Sequence, residues 1–274
     1  MGQTNLLLEN WQQQEKIFID TLVISRKKPT KNSTHDLRVA TKKMRSYLRL
    51  KKQLTGEEWK ESFLKLYALF KSFGLLSDFN TSISLVRKQE RKEGVQVIFF
   101  KEYLSVNRAL AKKWAKRDAK NFNEQELDIF KQHLEITLTD KEIVERIIEL
   151  SISKLKKAKM LSQHFEKNAH EIRKQLKDVY YWLKICPEEL AENFIDLKAL
   201  DKILDCLGDW QDHFTVRKKI NRYRKDLPKK NEEKQLLKKF ENNLASSQHE
   251  LLQNARDTWK EIEYKNNSTS LSSS

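Results

Sequence analysis

Glycine and proline are scarce in this chain of 274 residues, with five glycines and three prolines. So few helix breakers argue against the turn-rich sandwiches and barrels, while Leu, Lys, Glu, Gln, Ala and Arg, the strong helix formers, fill most of the sequence. The prediction is an all-α protein. The two cysteines, Cys186 and Cys206, have neither metal-ligand spacing nor the density of a secreted disulfide scaffold. Free thiols in a reducing compartment are expected. Long apolar runs are missing as well: MGQTNLLLENWQQQEKIF offers three consecutive leucines before polar residues return, far short of a signal-peptide core or a membrane span. A cytoplasmic protein without a membrane partner is expected.

Catalytic signatures are also lacking. There is no Gly-rich phosphate loop, no GxSxG elbow and no HExxH. His133, His164, His213 and His249 form no convincing metal set with cysteines or paired carboxylates. No motif requires a cofactor or an enzyme. Acidic residues are the last shortage: 39 Asp and Glu against 54 Lys and Arg leave a formal charge of +15. That field attracts polyanions in general and does not choose among nucleic acid, anionic lipid, polyphosphate and acidic protein.

Apolar spacing predicts a first helix over 3–26, ended by the turn cluster KKPTKNST. Ser33 or Thr34 is placed to cap a second helix to about Leu54, and Thr55 with Glu58 to open a third that breaks at Gly74. A fourth follows from Ser77 or Asp78 to Gly94, and a fifth over 95–116. Asn123 with Glu126, then Thr139 with Glu142, read as capping boxes for a short and a long helix. Further helices are predicted over 168–186, 196–207, 210–226 and 231–263, punctuated by Pro187 and Pro228. The six tryptophans fall at core positions of these helices and are assigned to packing, and residues 266–274 read as a disordered tail.

An internal repeat organises this series. HDLRVATKKMR at 35–45 is echoed by HEIRKQLKDVY at 170–180, which shares the His, the Arg three later and the Lys seven later. GLLSD at 74–78 is echoed by GDWQD at 208–212 at nearly the same offset. The predicted architecture is one domain over 1–265, built as two pseudo-symmetric helical bundles of four to five helices, about 1–120 and 138–265.

At about 100° per residue, His35, Arg38, Lys42, Arg45 and Arg49 fall within roughly one quarter of the helix circumference, opposite Leu37, Ala40, Met44 and Leu48. His170, Arg173, Lys177 and Lys184 form a similar stripe opposite Ile172, Val179 and Leu183. A solvated face ordinarily mixes signs at i,i+4, yet the first stripe contains no carboxylate. Uncompensated like charges at the same place in both halves suit an anionic ligand better than a merely solvated surface.

The H-x-x-R-x-x-x-K pattern in both halves, each followed some forty residues later by G-x-x-x-D, resembles the CHAD domain, the conserved histidine α-helical domain. The resemblance runs from about 3 to 263, and with no CYTH-type segment in view it suggests a stand-alone member. It implies binding of inorganic polyphosphate along a basic surface, in some members at polyphosphate granules. Carried over by position, the implied contacts are His35, Arg38, Lys42, Lys43 and Arg45, then His170, Arg173, Lys174 and Lys177. Arg49 and Lys184 extend the stripes; Asp78 and Asp212 are support residues, either capping a following helix or orienting a basic side chain. Lys42 and Lys43 stand where the family often has arginine, and Tyr180 where a basic residue is usual. The expected function is therefore non-catalytic polyphosphate binding. The alternatives are a nucleic-acid-binding helical protein, for which no recognition helix or aromatic platform is evident, and a polyphosphate hydrolase, for which no acidic metal cluster is evident.

Overall fold

In the computed structural model, which describes residues 6–57, 64–134 and 136–263, the described residues form α-helices joined by short connections. In chain order these are α1 (Leu6–Lys27), α2 (Lys31–Thr55), α3 (Leu64–Glu93), α4 (Ile98–Asn121), α5 (Glu126–Leu134), α6 (Asp140–Leu161), α7 (Phe165–Leu183), α8 (Glu188–Phe194), α9 (Leu197–Lys225) and α10 (Glu232–Glu261). A single 3₁₀ turn, Ser162–His164, joins α6 to α7. No described helix is long and apolar enough to cross a membrane. Both cysteines are free.

Local signals explain most boundaries. Thr139 and Glu142 form the reciprocal capping box expected of them at the start of α6. Asn231 caps α10 by accepting from the Lys234 N–H. The start of α2 differs from expectation: the cap is Thr30, whose side chain accepts from the Ser33 N–H while the Ser33 hydroxyl reaches back to the Thr30 N–H. At its end Gly56 takes the left-handed conformation, φ 79°, that a side chain would strain. The box expected at Thr55 and Glu58 extends into 58–63, outside the described residues, as does the 266–274 tail. Asn123 accepts from the Gln125 N–H, whereas Glu126 pairs with Lys65 instead of closing a box.

Two predicted breaks do not occur. α3 runs unbroken through Gly74, and α9 through Gly208. A mid-helix glycine costs about 1 kcal/mol relative to alanine. Burial on either side outweighs that: Leu69, Phe73, Leu76 and Phe79 line the core side of α3, each contributing roughly 1.5–3 kcal/mol. α8, after Pro187, is a short helix the sequence reading did not include.

The helices that carry the repeated sequence motifs meet. α2 packs against α7 and α3 against α9, while α1 packs on α2, α4 on α3, α6 on α7 and α10 on α9. The beginnings of α1 and α6 are tied by the Leu6 N–H, which donates to Asp140 Oδ1 at 3.0 Å. Leu37, Ala40, Met44 and Leu48 of α2 and Ile172, Leu176, Val179 and Leu183 of α7 are buried. That burial is worth far more than the few tenths of a kcal/mol lost per like-charged pair on the opposite faces. The core thus holds the two basic stripes side by side.

Candidate anion-binding site

Between α2 and α7 lies a cleft of about 470 Å³. Lys42, Arg45 and Arg49 line it from α2, and His170, Arg173, Lys174 and Lys177 from α7. Phe70 of α3 and Gln175, Asp178 and Tyr181 of α7 complete its wall. A second cleft of about 370 Å³ shares Arg45, Arg49 and Asp178 with the first and adds Lys52 and Lys154. Together they make a cationic track along the outer half of α2.

Arg38 sits behind this cleft, under the glycine of α3. Its Nη1 donates to the Gly74 carbonyl at 3.3 Å and lies 3.6 Å from the Asp78 carboxylate. Arg173 repeats the placement beneath α9, with Nη2 3.5 Å from where a Cβ on Gly208 would stand. In both arginines the Nε–H is buried without a hydrogen-bond partner. Asp78 and Asp212 lie in the interiors of α3 and α9, so neither caps a helix; each faces the arginine cluster instead. Lys219 of α9 reaches over the Phe79 ring to the Asp78 carbonyl, adding a cation that the sequence reading missed.

Electrostatics record the crowding. Burial, then the charges of Arg38 and Arg173, bring the Lys42 ammonium down to about 8, partly offset by Asp212 and Asp78. Lys177 falls further, to about 6, through burial and then the charges of Lys42, Arg173, Arg38 and Arg49. Asp212 is shifted upward by burial, reinforced by Asp78 and Asp209 and opposed by the two arginines. Cations thus dominate the charge around Lys42 and Lys177, whereas around Asp212 the neighbouring carboxylates weigh more than the arginines.

Besides Arg38, three expected contacts lie outside the cleft. His35 is exposed in the first turns of α2, about 10 Å along the axis from Lys42. Lys43 points about 100° away from Lys42 around the helix, toward Lys184, whose charge adds to the burial that lowers its own pKa. Lys184, the C-cap residue of α7, stands over Tyr180. Tyr180 itself faces Asp201 and Asp205, and burial followed by those carboxylates pushes it to about 12. Its neighbour Tyr181 supplies the cleft wall, with Lys177 Nζ 5.4 Å from its ring centroid.

Two cleft features escaped the sequence reading. Phe70 underlies Arg45, with 5.1 Å from guanidinium to ring centroid, and holds that side chain against the wall. Asp178 is buried and binds Arg49, Lys154 and the Ser46 hydroxyl, so α7 provides the carboxylate that α2's own stripe lacks. Arg49 and Lys174, expected as open contacts, are thus partly engaged, Arg49 with Asp178 and Lys174 with Glu171. Among the described residues no group of three or more His, Cys, Asp or Glu could hold a metal ion.

An all-helical fold with cations of α2 and α7 converging on one cleft defines a helical domain chemically able to hold an extended anion. The chain belongs to the CHAD domain family, whose model matches residues 6–221. A crystal structure of the CHAD domain from the plant Ricinus communis has the same fold, with a TM-score of 0.72 over 95% of this chain and 93% of that one at 13% identity. No curated protein matches by sequence.

Proposed function

We propose that this protein binds inorganic polyphosphate along the α2–α7 cleft without cleaving it. The observation that carries this reading is the convergence of Arg38, Lys42, Arg173 and Lys177 in a half-buried cluster where burial, and then repulsion among the cations, lowers both lysines. A chain of directly linked phosphates relieves that repulsion at several points at once. Arginine forks onto phosphate oxygens and lysine supplies point charges, while His170 adds a ring donor at the cleft's edge. In a cell that stores polyphosphate in granules, such a cleft would hold the protein to them.

Alanine at Arg38, Lys42, Arg173 and Lys177 together should abolish binding to long-chain polyphosphate while far-UV circular dichroism stays unchanged. Undiminished affinity in that variant would overturn the reading. Orthophosphate released from polyphosphate in the presence of divalent metal would replace it with a hydrolase.

A further inference from the structure

Two large concavities lie outside the α2–α7 cleft: one of about 750 Å³, whose lining includes Arg87, Arg91 and the Glu90 carboxylate but no aromatic ring, and a second that combines rings with cations. The second, on the other side of the α3–α9 contact, is a pocket of about 720 Å³ formed by α3, α4 and α9. Lys219 and Phe79 both line this pocket, and Lys219 Nζ reaches the Asp78 carbonyl beside Arg38.

Its lining divides by chemistry. From α4 come Tyr103, Asn107, Leu110 and Trp114, spaced to share one helix face. From α9 come Lys218, Arg222 and Lys225, spaced likewise. No carboxylate lines the pocket. This is not the rule for α9: on its other side Arg217 and Arg224 reach Glu241, with 2.6 Å between Arg224 Nη1 and a carboxylate oxygen. Among the described residues Lys218, Arg222 and Lys225 form no ion pair.

The aromatic wall is also unusual for this molecule. Trp11 and Trp182 are fully buried and Trp259 nearly so, as their assignment to packing requires. Trp114 is 45% exposed, which corrects that assignment for this residue; Trp59 lies outside the described residues. Leu110, one turn before it, is 42% exposed. Tyr103, by contrast, is fixed, its ring packed 6.0 Å from Phe100 and 5.1 Å from Tyr223. One wall thus combines a fixed ring with an open indole, and the facing wall carries cations lacking carboxylate partners.

We propose that this pocket binds a nucleotide, its base lying on the Trp114 and Tyr103 side and its phosphates on Lys218, Arg222 and Lys225. Pockets of 300–1,000 Å³ suit ligands of that size. An indole or phenol face accepts any base by stacking, and three cations on one helix face suit a short phosphate chain. Polyphosphate alone leaves the aromatic wall without a role, and an uncharged ring leaves the cations without one. The inference is independent of polyphosphate binding at the α2–α7 cleft.

ATP serves as the probe on the full chain, with adenosine and tripolyphosphate as its two separate parts, read by calorimetry and tryptophan fluorescence. ATP should change an indole signal that the W114F variant lacks. W114A should weaken ATP about tenfold, the scale of one lost base stack. Combined alanine at Lys218, Arg222 and Lys225 should weaken it further. Tripolyphosphate should leave the Trp114 signal unchanged, and alanine at Arg38, Lys42, Arg173 and Lys177 should leave the ATP response in place. Because Trp114 is half-exposed, W114A empties no core cavity, and its melting curve checks this. Equal ATP affinity in wild type and W114A, a Trp114 response reproduced by tripolyphosphate, or no ATP binding at millimolar concentrations would each overturn the proposal.

Discussion

The guanidinium of Arg173 lies against the bare Cα of Gly208, where an added methyl would stand 3.5 Å from Nη2, an ordinary contact. Arg38 and Gly74 repeat the arrangement at 4.0 Å. Both glycines sit inside continuous helices, where alanine is better by about 1 kcal/mol. Alanine at either position should therefore raise stability by roughly 0.5–1 kcal/mol in chemical denaturation and leave polyphosphate affinity nearly unchanged. Leucine should displace the guanidinium and weaken binding at least tenfold. A loss of binding with alanine as large as with leucine would refute the spacing argument.

Lys42 and Lys177 should make binding pH-dependent in a range where surface lysines are silent. Their neighbours in the cluster are Arg38, Arg173, Arg49, Asp78 and Asp212. Without ligand, Lys177 discharges near pH 6 and Lys42 near pH 8; a bound polyanion restores both protons. Affinity should thus fall as pH rises from 6 to 9, with proton uptake visible when calorimetry is repeated in buffers of different ionisation enthalpy. The same fall should persist in an H170N variant. For folding, both lysines have folded-state pKa values below the unfolded 10.5, so the unfolded chain holds more protons between the two values. Ligand-free stability should rise with pH across that window, and K177M should stabilise the protein at pH 7.

Asp178 sets stability against affinity. It is buried beneath two cations, Arg49 and Lys154, and accepts from Ser46. Asparagine there leaves those charges uncompensated. With Arg49 more than a third exposed, the cost is discounted to about 2 kcal/mol. The same change frees two cations toward the track, so D178N should melt earlier and bind polyphosphate more tightly. A variant that loses stability and affinity together would show that Asp178 positions Arg49 for the ligand.

The helical class and the basic faces of α2 and α7 were legible in the sequence because composition and periodicity are local properties. Gly74 and Gly208 misled, since the contacts that carry a helix across a glycine come from other elements. The same error left the role of Asp78 and Asp212 open; with both helices unbroken, neither can cap, and both face the arginines. Asp178 was hidden for a different reason. It belongs to α7 but neutralises α2, a relation between residues more than a hundred positions apart. Trp114 could have been noticed: it shares a face of α4 with Tyr103, Asn107 and Leu110, too polar a stripe for a core side.

Salt dependence separates a built track from general basicity. With about six cleft cations engaged, the slope of log affinity against log salt for polyphosphate should be roughly −4, by analogy with single-stranded nucleic acid. RNA of matched total charge carries its phosphates farther apart, separated by sugars, and presents fewer of them to a cleft of this size. At fixed salt polyphosphate should therefore displace RNA, and RNA should show a shallower slope. Alanine at Arg38, Lys42, Arg173 and Lys177 leaves the protein strongly positive, so the variant should keep weak RNA binding while losing its preference for polyphosphate. If both ligands bind with equal affinity per charge, and the substitutions weaken both equally, the net charge of +15 accounts for binding and the cleft has no selective role.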